Sequence, residues 1–580
     1  MYKVVVIACI AVIASLVAMT FWAQGQKSQV DLTFNNELEA NHLDPHRMSW
    51  QHEIRIANAL FEGLLAFKVN PPQPGQTQGD IVVVPGMAQR YEVSSDGRTY
   101  TFHIRPDAKW SNGQPVTAPQ FRWSWQRVMT PLTAADYASM MFVIQGAKAY
   151  FDAMEAGQPA SFDSVGVKAP DDRTLVVTLA QPSGFFLELL AFVPFMPVYP
   201  PLLQSVPKAG SPVQGGITVY DEDAWSRPGN IVGNGPFVLA SRLFKREMVL
   251  EKNPLYWDAA NVTLNHVRVL AIEDVNAALQ AYESKRCDMI TAVPTGLGRV
   301  LQATDPANRR PDFCVFPTFG TYFYRFNCQP TFRDGQKNPF ADPRVRRAFA
   351  LTADKQGIVD QVTGLHQRIA DTLIPSGLTV TDRAGQRVTY ACPPGNAYAP
   401  AVARKLLDEA GYADRATLGE VNLMISNSGA HEAIAERMAF TWQRELGVKV
   451  VINKKDGNAF GQALKQKQGK EWNIARSSWF GDYLDPTTFL GLFITDDGNN
   501  DCGYSNKDFD ALLAQAAGTD DQARRMDLFR QAETIAIVDE AAIVPLYYYA
   551  NMHMIRPWVQ GVWPNMMDMI LLKQIRVEGR

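Results

Sequence analysis

Apolar residues recur along the chain with two periods. Between Asp96 and Pro106, Tyr100, Phe102 and Ile104 alternate with polar neighbours, so they share one face of a strand. Asp96-Gly97 ahead of them is a hairpin turn signal. Leu175 to Leu179 and the aromatic-rich run from Val315 to Asn327 are two further strands. Helical spacing governs Ile54 to Leu65, where Ile56, Ala59, Leu60 and Leu64 form a stripe. The run Asn70 to Gly79, rich in Pro, Gly and Gln, predicts an exposed loop. Asp342-Pro343 supplies an N-cap and a proline at the first helical position, opening a helix through Arg346 and Phe349.

The back half alternates helix and strand. Val402, Leu406, Leu407 and Ala410 predict one face of a helix that Gly411 stops in the left-handed conformation. A strand over Val421 to Ile425 precedes a helix over His431 to Leu446, with Ile434, Met438, Trp442 and Leu446 at fourfold spacing. Gly447 ends that helix, and Val448 to Ile452 is the next strand. This βαβ unit implies a parallel or mixed sheet with a right-handed crossover. The following strand, Trp472 to Ser478, leads into Trp479-Phe480-Gly481-Asp482-Tyr483. Ligands of open α/β sheets bind beyond the carboxyl ends of strands, which makes Trp479, Asp482 and Tyr483 candidate contacts. The alternative is a surface turn whose Asp caps the next segment.

Composition narrows the function. The 580 residues are 46% apolar and 20% charged, with Lys+Arg 56 against Asp+Glu 59 and a net charge of −3. That is a folded chain without the basic footprint of a nucleic-acid binder. After Lys3, residues Val4 to Gln26 are uncharged and largely apolar up to Ala23, which suits a secretory signal or a membrane anchor. Export is expected on either reading; cleavage against retention stays open. A lipoprotein box at Cys9 is poorly formed because too few residues precede it. Cys287, Cys314, Cys328, Cys392 and Cys502 form no CxxC pair, and their odd number leaves at least one free thiol. No GxSxG elbow occurs, and Ala435 stands where His431-Glu432 would need a second zinc ligand. Gly296-Leu297-Gly298 lacks the third glycine of a dinucleotide loop, and nothing before Gly469-Lys470 matches a phosphate loop. His42, Asp44 and His46 are interrupted by Pro45, and Asp482 with Asp485 makes only a weak glycosidase-like pair. The weight falls on binding without metal or cofactor.

Several stretches, in order, carry a resemblance. Leu43-Asp44-Pro45-His46, Leu60-Phe61-Glu62-Gly63-Leu64-Leu65, Asp107 to Gly113, Trp123 to Arg127, Pro228 to Gly235, Leu406 to Tyr412 and Ala541 to Tyr549 resemble the extracytoplasmic peptide-binding proteins that feed ABC transporters, family 5 of the solute-binding proteins. The similarity covers essentially everything after residue 30 and is nearest to the oligopeptide binders. It implies an α/β flytrap of the periplasmic-binding-protein type (class II), two mixed-sheet lobes plus an extra smaller domain. Residues 1–26 would be the signal peptide or anchor. Lobe I would join 31–67, 197–319 and 546–580; lobe II would span 68–196 and lobe III 320–545.

The resemblance also implies site roles. Asp482 matches the aspartate that pairs with a peptide's α-ammonium group, with Trp479 beside it and the backbone at Ser478 and Phe480 pairing with the ligand. Arg476 matches an arginine that receives the carboxylate of shorter peptides, and a guanidinium can grip it bidentately. His431 aligns with a histidine used for longer ones, or is a surface residue of its helix start. Tyr137 is a contact from the second lobe or a core aromatic, and the backbone around Ser49, Trp50 and Gln51 lines the first-lobe side. The family's disulfide positions nearest the cleft fall on Gly320 and Phe480, so that bridge is absent. Gly457 replaces a tryptophan before Asn458, and Thr363 replaces a lysine, which alters the side-chain pockets. The implied partners are an oligopeptide and permease subunits, for a monomer with an optional membrane tether. A binder of dipeptides, murein peptides or a metal chelate, an anchored sensor, and an exported hydrolase are the rival readings.

Overall fold

The computed structural model describes residues 30–294 and 310–580, apart from 333, 366, 383–385, 428, 467–471, 496 and 520. The N-terminal apolar run with Cys9, the Gly296-Leu297-Gly298 run, Gly469-Lys470 and the side chains of Gly457 and Asn458 lie outside the described residues.

Ten strands join one mixed sheet. From edge to edge they are Phe237–Leu243, Glu247–Lys252, His266–Leu270, Leu32–Asn35, Met289–Ile290, Ile543–Ile555, Phe313–Phe326, Ile474–Phe480, Glu420–Ser426 and Lys449–Lys455. The two longest, Phe313–Phe326 and Ile543–Ile555, run antiparallel side by side and join the two halves. Their register shifts twice, between Tyr322 and Phe323 and, over a longer gap, between Pro317 and Thr321, which pair with Ala550 and Tyr548. Thr318, Phe319 and Gly320 thus stand opposite Tyr549 alone, a bulge of the kind that re-aims side chains. Thr318 bridges to Met567 instead.

A separate antiparallel sheet runs Ala88–Val93, Thr99–Ile104, Thr174–Thr178, Val167–Lys168. Its inward side is the predicted one: Tyr100, Phe102 and Ile104 are buried. The loop from Asn70 to Gly79 is largely exposed and links the hairpin strands Leu65–Val69 and Ile81–Pro85. The βαβ unit forms as expected, with Glu420–Ser426 parallel to Lys449–Lys455 across the helix Gly429–Leu446. Ile434, Met438, Trp442 and Leu446 are buried, and the Trp442 indole N–H donates to the Phe349 carbonyl at 2.9 Å. Asp342 caps its helix by accepting from the Arg344 N–H at 2.9 Å.

Two element boundaries and one buried face differ from the periodicity. The helix Gln51–Leu60 stops before Leu64 because the Asn234 side chain takes over the Glu62 backbone, accepting at 3.0 Å and donating at 2.8 Å. Such tertiary bonds replace the helical ones that residue 62 would otherwise make. The helix Pro400–Glu409 buries Ala403 and Leu407, while Val402 is 51% exposed, so its stripe is rotated by one residue. The strand expected to stop at Ser478 stays paired through Phe480. Among the described residues no helix is long and apolar enough to cross a membrane.

The candidate peptide-binding cleft

The strand Ile474–Phe480 has one satisfied side and one open side. Towards Phe313–Phe326 it pairs along its whole length, from Phe326↔Ile474 to Gly320↔Phe480. On the other side the parallel strand Glu420–Ser426 meets only Ile474 and Ala475. Among the described residues no strand covers the edge from Arg476 to Phe480. A row of unpaired backbone groups is a template for an added extended chain. Ser478 and Phe480 lie on this edge.

The turn after the strand sets the electrostatics. The Gly481 N–H donates to the Phe319 carbonyl at 2.7 Å, and the Asp482 N–H donates to the Thr488 hydroxyl at 3.1 Å. These bonds fix the Asp482 backbone, yet its carboxylate has no ion-pair or hydrogen-bond partner among the described residues. Burial pushes that carboxyl up to about 6. Asp482 lines a cavity of about 380 Å³ with Tyr137, Phe185, Trp479 and Tyr483. An uncompensated, partly desolvated carboxylate is suited to receive a cation.

Asp485 has the opposite setting. It is fully buried and gripped by the Arg525 guanidinium, whose Nη2 donates to Oδ1 at 2.8 Å while Nη1 donates to Oδ2. The Thr487 N–H and hydroxyl also donate to Oδ1, at 3.0 and 2.6 Å. Asp485 therefore holds the turn, and the two acids do not act as a catalytic pair.

The other sequence-derived residues divide between the cleft and its supports. The Trp479 indole N–H is buried without a partner among the described residues. The Tyr137 hydroxyl donates to the Ser49 carbonyl at 3.4 Å, and its ring meets Phe192 edge-on at 5.2 Å. Burial raises the Tyr137 phenol's pKa, and the Asp482 charge adds to that, which puts the two side chains within electrostatic reach. Phe480 is 52% exposed and packs on Tyr549 with centroids 4.7 Å apart. Its ring covers Gly320, where a Cβ would lie 2.5 Å from it. The two positions where the resemblance lacks its disulfide thus face each other, occupied by an aromatic ring and a residue without a side chain.

Arg476 donates to the Tyr549 hydroxyl at 3.3 Å and lies over the Tyr322 ring at 5.2 Å, with no carboxylate partner among the described residues. His431 Nδ1 is 3.2 Å from the Tyr322 hydroxyl. Burial, followed by the Arg476 charge, holds the imidazole down to about 4, so it is neutral at pH 7. Trp50 precedes the helix Gln51–Leu60 and is 64% exposed, while its N–H donates to Glu53. The Gln51 amide is used internally, donating to the carbonyls of Met567 and Asp568 at 3.2 and 3.0 Å. Thr363 turns its hydroxyl back to the Val359 carbonyl at 3.2 Å.

The histidines near the start are engaged separately. Burial raises the Asp44 carboxyl, but Arg127, donating at 3.0 and 2.5 Å, overrides it and holds the group at about 2. His46 Nε2–H donates to the Met196 carbonyl, and His42 faces Glu222. Among the described residues no three His, Cys, Asp or Glu side chains gather as a metal site.

Sequence reasoning missed Phe185, which stacks on Tyr483 at 4.7 Å, and the aromatic group of Tyr322, Tyr547 and Tyr549 beneath Arg476. It also missed Arg525. None carries a local signal, since each partner lies far away in sequence. Tyr547-Tyr548-Tyr549 entered only as the end of a stretch that carries the resemblance, with no role attached.

Comparison with known proteins gives this arrangement its class. The family model for bacterial extracellular solute-binding proteins, family 5 Middle, matches residues 82–501, and the chain belongs to that family. It is a family of solute-binding proteins rather than enzymes. The chain is 34% identical over 548 residues to the periplasmic oligopeptide-binding protein OppA of Salmonella typhimurium, covering 94% of this chain and 92% of the relative. The unliganded open form of MppA, a periplasmic murein tripeptide binding protein, matches with a TM-score of 0.76 at 29% identity, over 95% and 98% of the two chains. OppA of Haemophilus influenzae in complex with RPPGFSPFR matches with a TM-score of 0.67 at 28% identity, over 95% and 100%. The mixed α/β flytrap expected from the resemblance is the fold of this chain.

Proposed function

We propose that the protein captures oligopeptides outside the cytoplasm and hands them to the permease of an ABC transporter, without altering them. The observation that carries this reading is the unpartnered Asp482 carboxylate at the end of the uncovered strand edge Arg476 to Phe480. An extended peptide would add to that edge through main-chain bonds, with its α-ammonium group on Asp482. Trp479 and Tyr137 would wall the first residue. The C-terminal carboxylate of a shorter peptide would meet Arg476 and that of a longer one His431. The backbone at Trp50 and Gln51 would line the facing side. The periplasmic relatives support an extracytoplasmic location.

In this reading lobe I (31–67, 197–319, 546–580), lobe II (68–196) and lobe III (320–545) close on the ligand. Closure is favoured because only the closed state lets both sides touch the peptide. The working form is a monomer, with residues 1–26 as signal or tether.

Calorimetry with a tetrapeptide and its N-acetyl form tests the assignment. Loss of the ammonium should weaken binding by about 2–5 kcal/mol, the range for breaking a buried charge pair. Equal affinities would place the amine elsewhere. Native mass spectrometry of protein taken from a peptide-containing lysate should release intact, sequence-diverse peptides.

A further inference from the structure

Outside the cleft, two of the five described cysteines come together. The Cys328 N–H donates to the Cys502 carbonyl at 2.8 Å, and the two thiols lie close enough for each to shift the other's protonation. A direct backbone bond holds the two residues side by side, the arrangement a disulfide needs to span its roughly 4.4–6.8 Å between Cα atoms. The segments are fixed on both sides of the pair. Arg325 donates to Asp501 at 2.6 Å, with both side chains largely buried. The Gln329 amide donates to the Gly503 carbonyl at 3.4 Å, and a Cβ on Gly503 would lie 1.9 Å from that side chain. The chain could hardly approach more closely there.

We propose that Cys328 and Cys502 form a disulfide when the folding chain meets an oxidising thiol–disulfide couple, and that Cys287, Cys314 and Cys392 stay as thiols. A thiolate of the pair attacks a sulfur of the oxidant's disulfide, forming a mixed disulfide and releasing one thiolate. The second sulfur of the pair then displaces the oxidant's remaining sulfur. Two protons and two electrons leave the pair, and the oxidant's disulfide becomes two thiols. The neighbouring Cys328 thiol lowers the pKa of the Cys502 thiol and, although burial opposes it, the Arg325 charge adds to the lowering, which favours Cys502 as the attacking sulfur. Neither Cys287, Cys314 nor Cys392 has a second thiol at hydrogen-bond distance among the described residues. The oxidant is available in the cell only if the chain is exported, so in vivo the bond rests on the reading above.

The cross-link would tie the far end of the strand Phe313–Phe326 to the segment before the helix Lys507–Ala517. It closes a loop of about 170 residues, a length at which a bridge restrains the unfolded chain strongly.

The test uses the full chain, refolded with a reduced and oxidised glutathione couple, alkylated under denaturing conditions and digested. The expected result is one cross-linked fragment containing Cys328 and Cys502, unlabelled until reductant is added, with the other three thiols labelled throughout. Reduction should lower the melting temperature by a few degrees, and Cys328→Ser should remove that dependence and leave Cys502 labelled. Labelling of both residues in oxidatively refolded protein of native circular dichroism would overturn the proposal, as would a bridge to a different cysteine. A bridge formed in vitro but missing from protein taken from whole cells with its thiols trapped at lysis would uphold the pair and sink the export reading. Peptide affinity is measured separately, so its loss bears only on the cleft.

Discussion

Asp482 and Asp485 sit three residues apart on one turn and have opposite surroundings. Asp485 is fully buried and bidentately bound by Arg525, whereas the Asp482 carboxylate is partly buried with no partner among the described residues and is held up to about 6. One acid stabilises the turn and the other is carried by it at a cost. Asp482→Asn should therefore raise the melting temperature of the ligand-free protein at pH 7.5 while weakening peptide binding by about 2–5 kcal/mol. Scanning calorimetry with and without peptide would reveal both changes. A fall in both would assign Asp482 a structural role.

The sign of the pH dependence follows from the same group. Its folded pKa of about 6 lies above the ordinary 3.8, so the empty fold binds this proton more readily than the unfolded chain does. Its contribution to stability declines as pH rises from 3.8 to about 6 and stays unfavourable above that. Binding of an ammonium group needs the ionised form. Peptide affinity should be greatest near pH 7, fall towards tenfold per pH unit below about 6, and fall again above about 8 as the peptide's α-ammonium group loses its proton. Calorimetric titrations at pH 5 and 7.5 would show this slope, and Asp482→Asn should abolish it.

Arg525→Met would leave Asp485 buried with no counter-charge. The expected loss is about 3–5 kcal/mol in urea unfolding. Arg525→Met combined with Asp485→Leu should recover part of it, because the lone buried charge is then gone.

Gly320→Ala would place a methyl group against the Phe480 ring, which cannot withdraw without leaving Tyr549. Overpacking of this kind costs about 1–3 kcal/mol. Adding Phe480→Ala should restore most of the stability while changing which peptide side chains are preferred. A peptide array before and after the substitution would read that preference.

Arg476→Gln should weaken binding of short peptides with a free C-terminal carboxylate and leave their amidated forms unaffected. Equal losses for acid and amide would mean that Arg476 acts through the rings of Tyr322 and Tyr549 instead.

The legible parts of this chain were those written locally. Alternation at Tyr100, Phe102 and Ile104 and fourfold spacing from Ile434 to Leu446 report faces that any neighbour would bury, so the elements follow from their own residues. Boundaries failed where a distant group intervened, as at Glu62, whose backbone is satisfied by Asn234. The site was harder still. Nothing near Asp482 indicates that it lacks a partner while Asp485 has one, because Arg525 lies forty residues on. The open edge from Arg476 to Phe480 depends on how soon the neighbouring strand stops pairing, which is a property of the sheet. The strand end pointed to Asp482 as one candidate contact, but only the resemblance gave it the ammonium group and singled out Arg476.

The interrupted ladder between Phe313–Phe326 and Ile543–Ile555 has a mechanical consequence. The two halves of the large sheet share one plate, so no slack connector lets them drift; they can part only by flexing it, most readily where the rungs are missing. Those rungs are missing at Phe319, Gly320 and Tyr549, which also receive Gly481, support Phe480 and meet Arg476. A guest lying against Phe480 and Tyr549 rests on the crease itself. Its arrival would stiffen the plate directly, so the molecule needs no relay between the place that senses cargo and the place that bends.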